Sequence, residues 1–260
     1  MSRRRAVSRD PVTRSAHPAT TDRHPPHQPR PREYVGPFSF GGAVKPYYED
    51  DFVQLFHGDC LSIDEWLQAD VLVTDPPYGI SYNSHSRRLT VAARIRGDND
   101  TSIRDKAMAR WGEGRPAAVF GTWKRERPKG VRALLVWDTK GALGMGDTSI
   151  PWKPSHQEIY VIGKGWHGRR GTDVIRCAPV QSLGYSGRLH PHQKPVELME
   201  HLIERAPAGT IADPFCGSGS TLVAAKAQGR RAVGIEEDER YLEVAARRLS
   251  QDVLDFGELA

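Results

Sequence analysis

The 260-residue chain contains no run of 18 or more apolar residues, which excludes a membrane-spanning helix. No apolar stretch follows the first basic residues, which argues against a secretory signal. Cysteine is scarce: Cys60, Cys177 and Cys216 are odd in number, far apart and never in C-x-x-C spacing. That argues against a disulfide framework and a cysteine zinc site, and for a reducing compartment. Internal repeats are absent as well.

Basic residues are in surplus, with 37 Lys and Arg against 32 Asp and Glu, a net charge of +5 and a pI of about 9.2. The surplus is unevenly placed. Residues 1–32 hold eight arginines, two aspartates and six prolines, a net +6, so residues 33–260 sum to −1. Such a segment has too few apolar side chains to offset its ordering entropy and is expected to be a disordered basic tail. It reads equally as an arm that scans phosphates or as a solvated extension. Any polyanion-binding surface on residues 33–260, read as a single domain, must be a local patch.

Regular patterning starts near residue 51. DFVQLFHGD reads as a strand and tight turn, SIDEWLQ as a short helix capped by Ser62, and ADVLVT as a β-branched strand running into DPPYG. A helix is expected through Ala107–Trp111, then a buried strand over AAVFGTW. VRALLVW and QEIYVIG look like paired strands, and PVELMEHLIERAP like a Pro-started amphipathic helix. TIADP, TLVAAKAQGR, RAVGIEED and ERYLEVAARRL complete a strand–helix–strand–helix unit. Strands alternating with helices imply an α/β fold with a doubly wound, mainly parallel sheet, and the late apolar pair implies one antiparallel edge hairpin.

Two short segments carry chemistry. In DPFCGSGST (213–221), Gly217 and Gly219 allow a sharp turn and close approach of a ligand, with a helix starting at Ser220/Thr221. The next strand ends at Glu236-Glu237, where ribose recognition needs an acid. The loop lacks the third glycine of a dinucleotide fingerprint and the GK[ST] of a P-loop, which disfavours a triphosphate. Asp213 ahead of it would repel phosphate and suit an ammonium group. The same loop could also close a βα turn with no ligand.

The other segment is Asp75-Pro76-Pro77-Tyr78. Ligands of a doubly wound sheet lie beyond the carboxyl ends of its strands, which puts this turn on the rim that carries the glycine loop. The prolines donate nothing and fix φ, so a carboxylate, rigid carbonyls and an aromatic ring are held together. Such acceptors suit a planar amine: they favour a more pyramidal nitrogen and stabilise charge that develops on it. A plain Pro-terminated strand is the ordinary alternative.

DPPYG, HPHQKP (190–195) and DPFCGSGST, in that order, resemble the S-adenosylmethionine-dependent DNA amino-methyltransferases in their β-type motif arrangement, over roughly residues 50–250. The resemblance implies a Rossmann-like fold with a seven-stranded-type sheet. It also implies S-adenosylmethionine as cofactor, double-stranded DNA as partner, and methyl transfer to the exocyclic amine of a flipped base. Adenine is the preferred target and cytosine N4 the alternative.

By the same resemblance, Asp75, Pro76, Pro77 and Tyr78 are catalytic. Asp213, Phe215, Cys216, Gly217, Ser218, Gly219, Ser220 and Thr221 hold the cofactor's methionine portion, with Asp213 facing its ammonium. Glu236 faces the ribose and Asp59 the adenine end. His190 and Lys194 stand near the carboxylate, Lys194 as counter-charge. The His190/His192 pair invites a metal reading, yet no cysteine or acidic motif accompanies it, and no metal is expected.

The resemblance further implies a cytoplasmic setting in a prokaryotic cell or phage-infected host and leaves a homodimer open. Two basic segments, 81–115 and 164–188, are candidates for DNA contact. They carry Arg87, Arg88, Arg94, Arg96 and Arg104, and Lys164, Trp166, His167, Arg169 and Arg170. Asp75 in place of Asn argues against a protein-glutamine or RNA-base substrate. An inactive cofactor- or DNA-binding relative is the non-enzyme alternative.

Overall fold

Val71–Thr74, with every residue buried, shows why this sheet must be covered on both faces. Val71 and Val73 point into one apolar cluster, while Leu72 points into another. Successive side chains of a strand alternate, so a continuous apolar run requires a layer on each side. A computed structural model describes residues 44–80, 98–141, 143, 146–180 and 193–251. The chain divides into two units, Met1–Glu33 and Tyr34–Ala260. The predicted tail lies outside the described residues.

The strands are β1 (Tyr48–Glu49), β2 (Val53–His57), β3 (Val71–Thr74), β4 (Ala117–Gly121), β5 (Val131–Asp138), β6 (His156–Ile162), β7 (Val174–Arg176), β8 (Ile211–Asp213) and β9 (Ala232–Glu236). They form one sheet in the order β1-β2-β9-β8-β3-β4-β6-β5-β7. Pairing is parallel from β2 through β4, while β1 and β6 run antiparallel to their neighbours. The helices are α1 (Ser102–Trp111), α2 (Val196–Glu204), α3 (Ser220–Ala227) and α4 (Glu239–Ser250). Buried residues of α2, α3 and α4 meet one face, and α1 with a 3-10 turn at Glu65–Gln68 meets the other. On that second face Trp66 and Trp111 stack with ring centroids 5.9 Å apart.

The Rossmann-like architecture therefore agrees with the sequence reading, with refinements. The expected hairpin is β5–β6, but it is not the edge, because β7 pairs in parallel outside it. Residues 174–176, inside the basic segment 164–188 for which the sequence predicts no strand, form a strand through that pairing. Ser62 does not cap a helix. Asp59 builds a turn there, its carboxylate accepting from the Leu61 N–H and its carbonyl from those of Ser62 and Ile63. The helical turn begins only at Glu65. Conversely, α1 starts five residues before Ala107, with the Asp100 carboxylate accepting from the Ser102 N–H at 2.8 Å.

The order places a switch point between β3 and β8. Beyond β3 the chain moves to β4 on one side, and beyond β8 it moves to β9 on the other. A crevice at such a divergence is the standing ligand position of an open α/β sheet. DPPYG follows β3 and the glycine loop follows β8, so the two motifs form its walls.

Candidate functional site

Asp75 leaves the end of β3 with both carboxylate oxygens engaged. Oδ1 accepts from the Tyr78 hydroxyl at 2.7 Å, and Oδ2 accepts from the Lys194 ammonium in a close ion pair. The Tyr78 hydroxyl also lies 3.3 Å from Gln157 Oε1 and 3.3 Å from Lys194 Nζ. Burial, then the neighbouring Asp75 charge, pushes the Tyr78 phenol well above its usual range, so it stays a neutral donor. Lys194 is only 6% exposed and Asp75 20%. The ammonium also stands 5.0 Å from the Phe120 ring centre, 5.6 Å from that of Tyr78 and 6.0 Å from that of Trp137. Carboxylate, phenol and three ring faces thus share one buried cation.

The turn is fixed behind this cluster. The Gly79 N–H donates to Asp98 Oδ1 at 2.6 Å, and its carbonyl accepts from Arg125 Nε at 2.8 Å. Gly79 has φ +74°, and a Cβ there would lie 2.5 Å from the Asp100 carbonyl carbon. Only glycine fits both the dihedral and the space.

The glycine loop is equally constrained. Asp213 is buried at the end of β8, accepting from Thr74 Oγ1 at 2.7 Å, Thr221 Oγ1 at 2.6 Å and the Phe215 N–H at 3.2 Å. Burial raises its carboxyl, to about 6, by more than those donors lower it. Its bonds thus tie β3, β8 and α3 together. Gly219, at φ +80°, starts α3, and Gly217 donates its N–H to Glu236 Oε2 at 2.8 Å. The other Glu236 oxygen accepts from the Asp238 N–H at 2.8 Å, and burial raises this carboxyl too. Ser220 Oγ donates to the Lys194 carbonyl at 2.8 Å, which joins the glycine loop to the Asp75 cluster through one residue.

A cavity of about 1080 Å³ is lined by Asp75, Pro76, Pro77 and Tyr78 together with Asp59, Lys194, Asp213, Phe215, Cys216, Gly217, Ser218, Ser220, Thr221 and Glu236. The structure thus brings together nearly all of the site residues predicted from sequence. Lys194 reaches the acceptor cluster, a position its sequence spacing could not reveal. His190 lies outside the described residues, as do Arg87, Arg88, Arg94 and Arg96.

The basic residues that open the second segment do not reach the cleft, although Pro179 and Val180 later in the same segment line it. β6 runs antiparallel, with Ile162 opposite Ala117 at the start of β4, so its carboxyl end lies on the rim opposite Asp75. There the His167 N–H donates to the Arg205 carbonyl at the end of α2, and Trp166 Nε1 donates to the Ile162 carbonyl. Arg169 and Arg170 follow in that segment, exposed and outside the cavity lining. Arg104 is buried and paired with Asp105 at 2.7 Å, so it presents no charge for a phosphate. Sequence reasoning overlooked Thr74, Gln157, Phe120, Asp98 and Arg125. Gln157 is the second residue of β6, which marks it as a rim residue only once that strand is known to run backwards.

The fold and this cleft define a doubly wound α/β protein with an acceptor cluster facing a glycine loop. A family model described as DNA methylase matches residues 123–247. Relatives include the type II methyltransferase M2.LlaDCHI of Lactococcus lactis subsp. cremoris, 27% identical, covering 84% of this chain and 97% of that protein. The type II methyltransferase M2.DpnII of Streptococcus pneumoniae is 26% identical, over 83% of this chain and 97% of that one. In fold the chain resembles the solved PvuII DNA methyltransferase (cytosine-N4-specific), with a TM-score of 0.61 at 15% identity, covering 84% of this chain and 93% of that one. The chain is thus similar to the DNA methylases of that model over residues 123–247 and to type II methyltransferases over most of its length, the group its three motifs resemble.

Proposed function

We propose that the protein transfers a methyl group from S-adenosylmethionine to the exocyclic amine of a base flipped out of double-stranded DNA, with N6 of adenine as target. The observation that carries this reading is the single cavity shared by the Asp75–Tyr78 acceptors and the glycine loop. At about 1080 Å³ it exceeds the roughly 300–1,000 Å³ usual for one small-molecule ligand, which suits a cofactor and a nucleotide side by side.

Residues 215–221 and Glu236 would hold the cofactor, with Asp59 at the adenine end. When bound, S-adenosylmethionine supplies an electrophilic methyl group on a positively charged sulfur. The chain's own groups do the rest. A base inside a duplex cannot enter the cleft, so it must be extruded, at a few kcal/mol. Each carboxylate oxygen of Asp75 retains acceptor capacity beside its present partner, and the amine hydrogens take it up. Tyr78 offers a ring face and keeps the carboxylate oriented through its hydroxyl. Asp75 then stabilises positive charge developing on nitrogen and is the first acceptor for the proton that nitrogen loses. Proximity and prearranged electrostatics supply most of the acceleration.

The test is to incubate the protein with methyl-labelled cofactor and unmethylated DNA, then digest to nucleosides. N6-methyl-2′-deoxyadenosine label supports the reading, N4-methyl-2′-deoxycytidine moves the target to cytosine, and label in protein or RNA alone refutes it. Asp75→Ala should bind cofactor as before and lose transfer.

A further inference from the structure

The connections that leave the carboxyl ends of β4 and β5 carry large apolar side chains in the open. Trp123 is 68% exposed, Ile150 50% and Trp152 75%. All three line the same cavity as Asp75, together with Lys124 and Lys153. Exposed indoles rimmed by charge mark a binding surface more often than a solvated loop.

The charge identifies the occupant. Residues 122–130 hold Lys124, Arg125, Arg127 and Lys129 against Glu126, a net +3, and residues 139–155 hold Lys140 and Lys153 against Asp147, a net +1. This +4 stands on a body whose residues 33–260 sum to −1. Arg127 pairs with Glu158 and Arg125 holds the Gly79 carbonyl, while Lys124, Lys129 and Lys153 stand on exposed positions, Lys153 donating to the Gly141 carbonyl at 2.7 Å, a neutral partner that leaves its charge uncompensated. Topology adds the location: β4 and β5 both point their carboxyl ends to the rim of the cleft, whereas the Arg169–Arg170 segment follows the end of β6 at the opposite rim.

Resting on the function proposed above, we infer that this patch seats duplex DNA against the mouth of the cleft. Trp123 and Trp152 stack on bases bordering the extruded one, and Lys124 and Lys153 meet the flanking phosphates. Apolar wedges and aromatic faces compensate bases that lose a stacking neighbour, and lysines supply a sequence-independent anchor.

The experiment uses the full chain and an unmethylated DNA fragment that the wild type labels. Trp123→Ala, Trp152→Ala and the double variant should keep the wild-type melting shift with S-adenosylmethionine, which shows that fold and cofactor site are intact. Transfer at subsaturating DNA should fall about tenfold or more in the double variant. Lys124→Ala with Lys153→Ala should flatten the slope of log affinity against log salt by about 2. Indole variants that bind and methylate DNA as the wild type does would overturn this inference and leave the proposed function standing. Indole variants that dissociate a dimer while retaining DNA affinity would overturn it too, by assigning the patch to a second copy. A wild type that labels no DNA refutes the underlying function as well.

Discussion

Replacing Asp75 with alanine removes the counter-charge of an ammonium that is only 6% exposed. Stripping one partner from a buried pair costs about 3–5 kcal/mol, because the remaining charge stays desolvated. Two features soften this here. Asp75 itself is 20% exposed, and the Phe120, Tyr78 and Trp137 ring centres lie within 6.0 Å of Nζ. Cation–π attraction offsets part of the loss, which sets Asp75→Ala at about 2–3 kcal/mol, or about 5–10 °C in Tm for a domain of this size. Lys194→Met removes the ammonium and keeps an unbranched chain of similar length against Phe120 and Trp137. It leaves a carboxylate that can hydrate from the open cleft, so alone it should cost about 1 kcal/mol.

The double variant should therefore be more stable than Asp75→Ala, with a coupling of about 2 kcal/mol. Thermal and denaturant melts without cofactor or DNA measure all four corners of this cycle. Additive losses, or an Asp75→Ala protein melting with the wild type, would falsify the assignment of Lys194 as a buried partner of Asp75. Methyl transfer gives a separate reading: the double variant recovers stability while transfer stays about 10²–10³-fold down, since the amine has lost its charged acceptor.

Asp213 gives a pH prediction. Its carboxyl is raised from an ordinary 3.8 to about 6, so its contribution to stability is present below the unfolded value and lost as pH rises through 6. Asp213→Asn should cancel that loss, and the variant-minus-wild-type Tm should climb between pH 4 and 6.5; a flat difference would sink the claim. Gly79→Ala must move the Asp100 backbone and adopt a positive φ, at about 1–3 kcal/mol or more, and should depress transfer beyond its loss of stability. Arg125→Ala releases the Gly79 carbonyl and should lower kcat while cofactor affinity, followed by calorimetry, stays put. Arg169→Ala with Arg170→Ala should leave both DNA affinity and its salt slope at wild-type values, in contrast to the Lys124 and Lys153 substitutions.

Local chemistry made much of this protein legible in one dimension. The β-branched runs that end at Asp75 and Asp213 are strands because their apolar faces need cover on both sides. The glycines after Asp213 and the prolines after Asp75 fix backbone turns through φ alone, and these constraints travel with the residue. Asp213 and Glu236 were legible as acids beside the glycine loop for the same reason. What the sequence could not disclose was direction and distance between strands. The reversed run of β6 brings Gln157 to the cleft and carries the segment that follows it, ending in Arg169 and Arg170, from the opposite rim. Lys194 reads as a residue of the glycine-loop neighbourhood and becomes the counter-ion of Asp75, 119 residues earlier in the chain. Only the packing of α2 against the sheet, which desolvates that ammonium among three rings, decides where its charge must go.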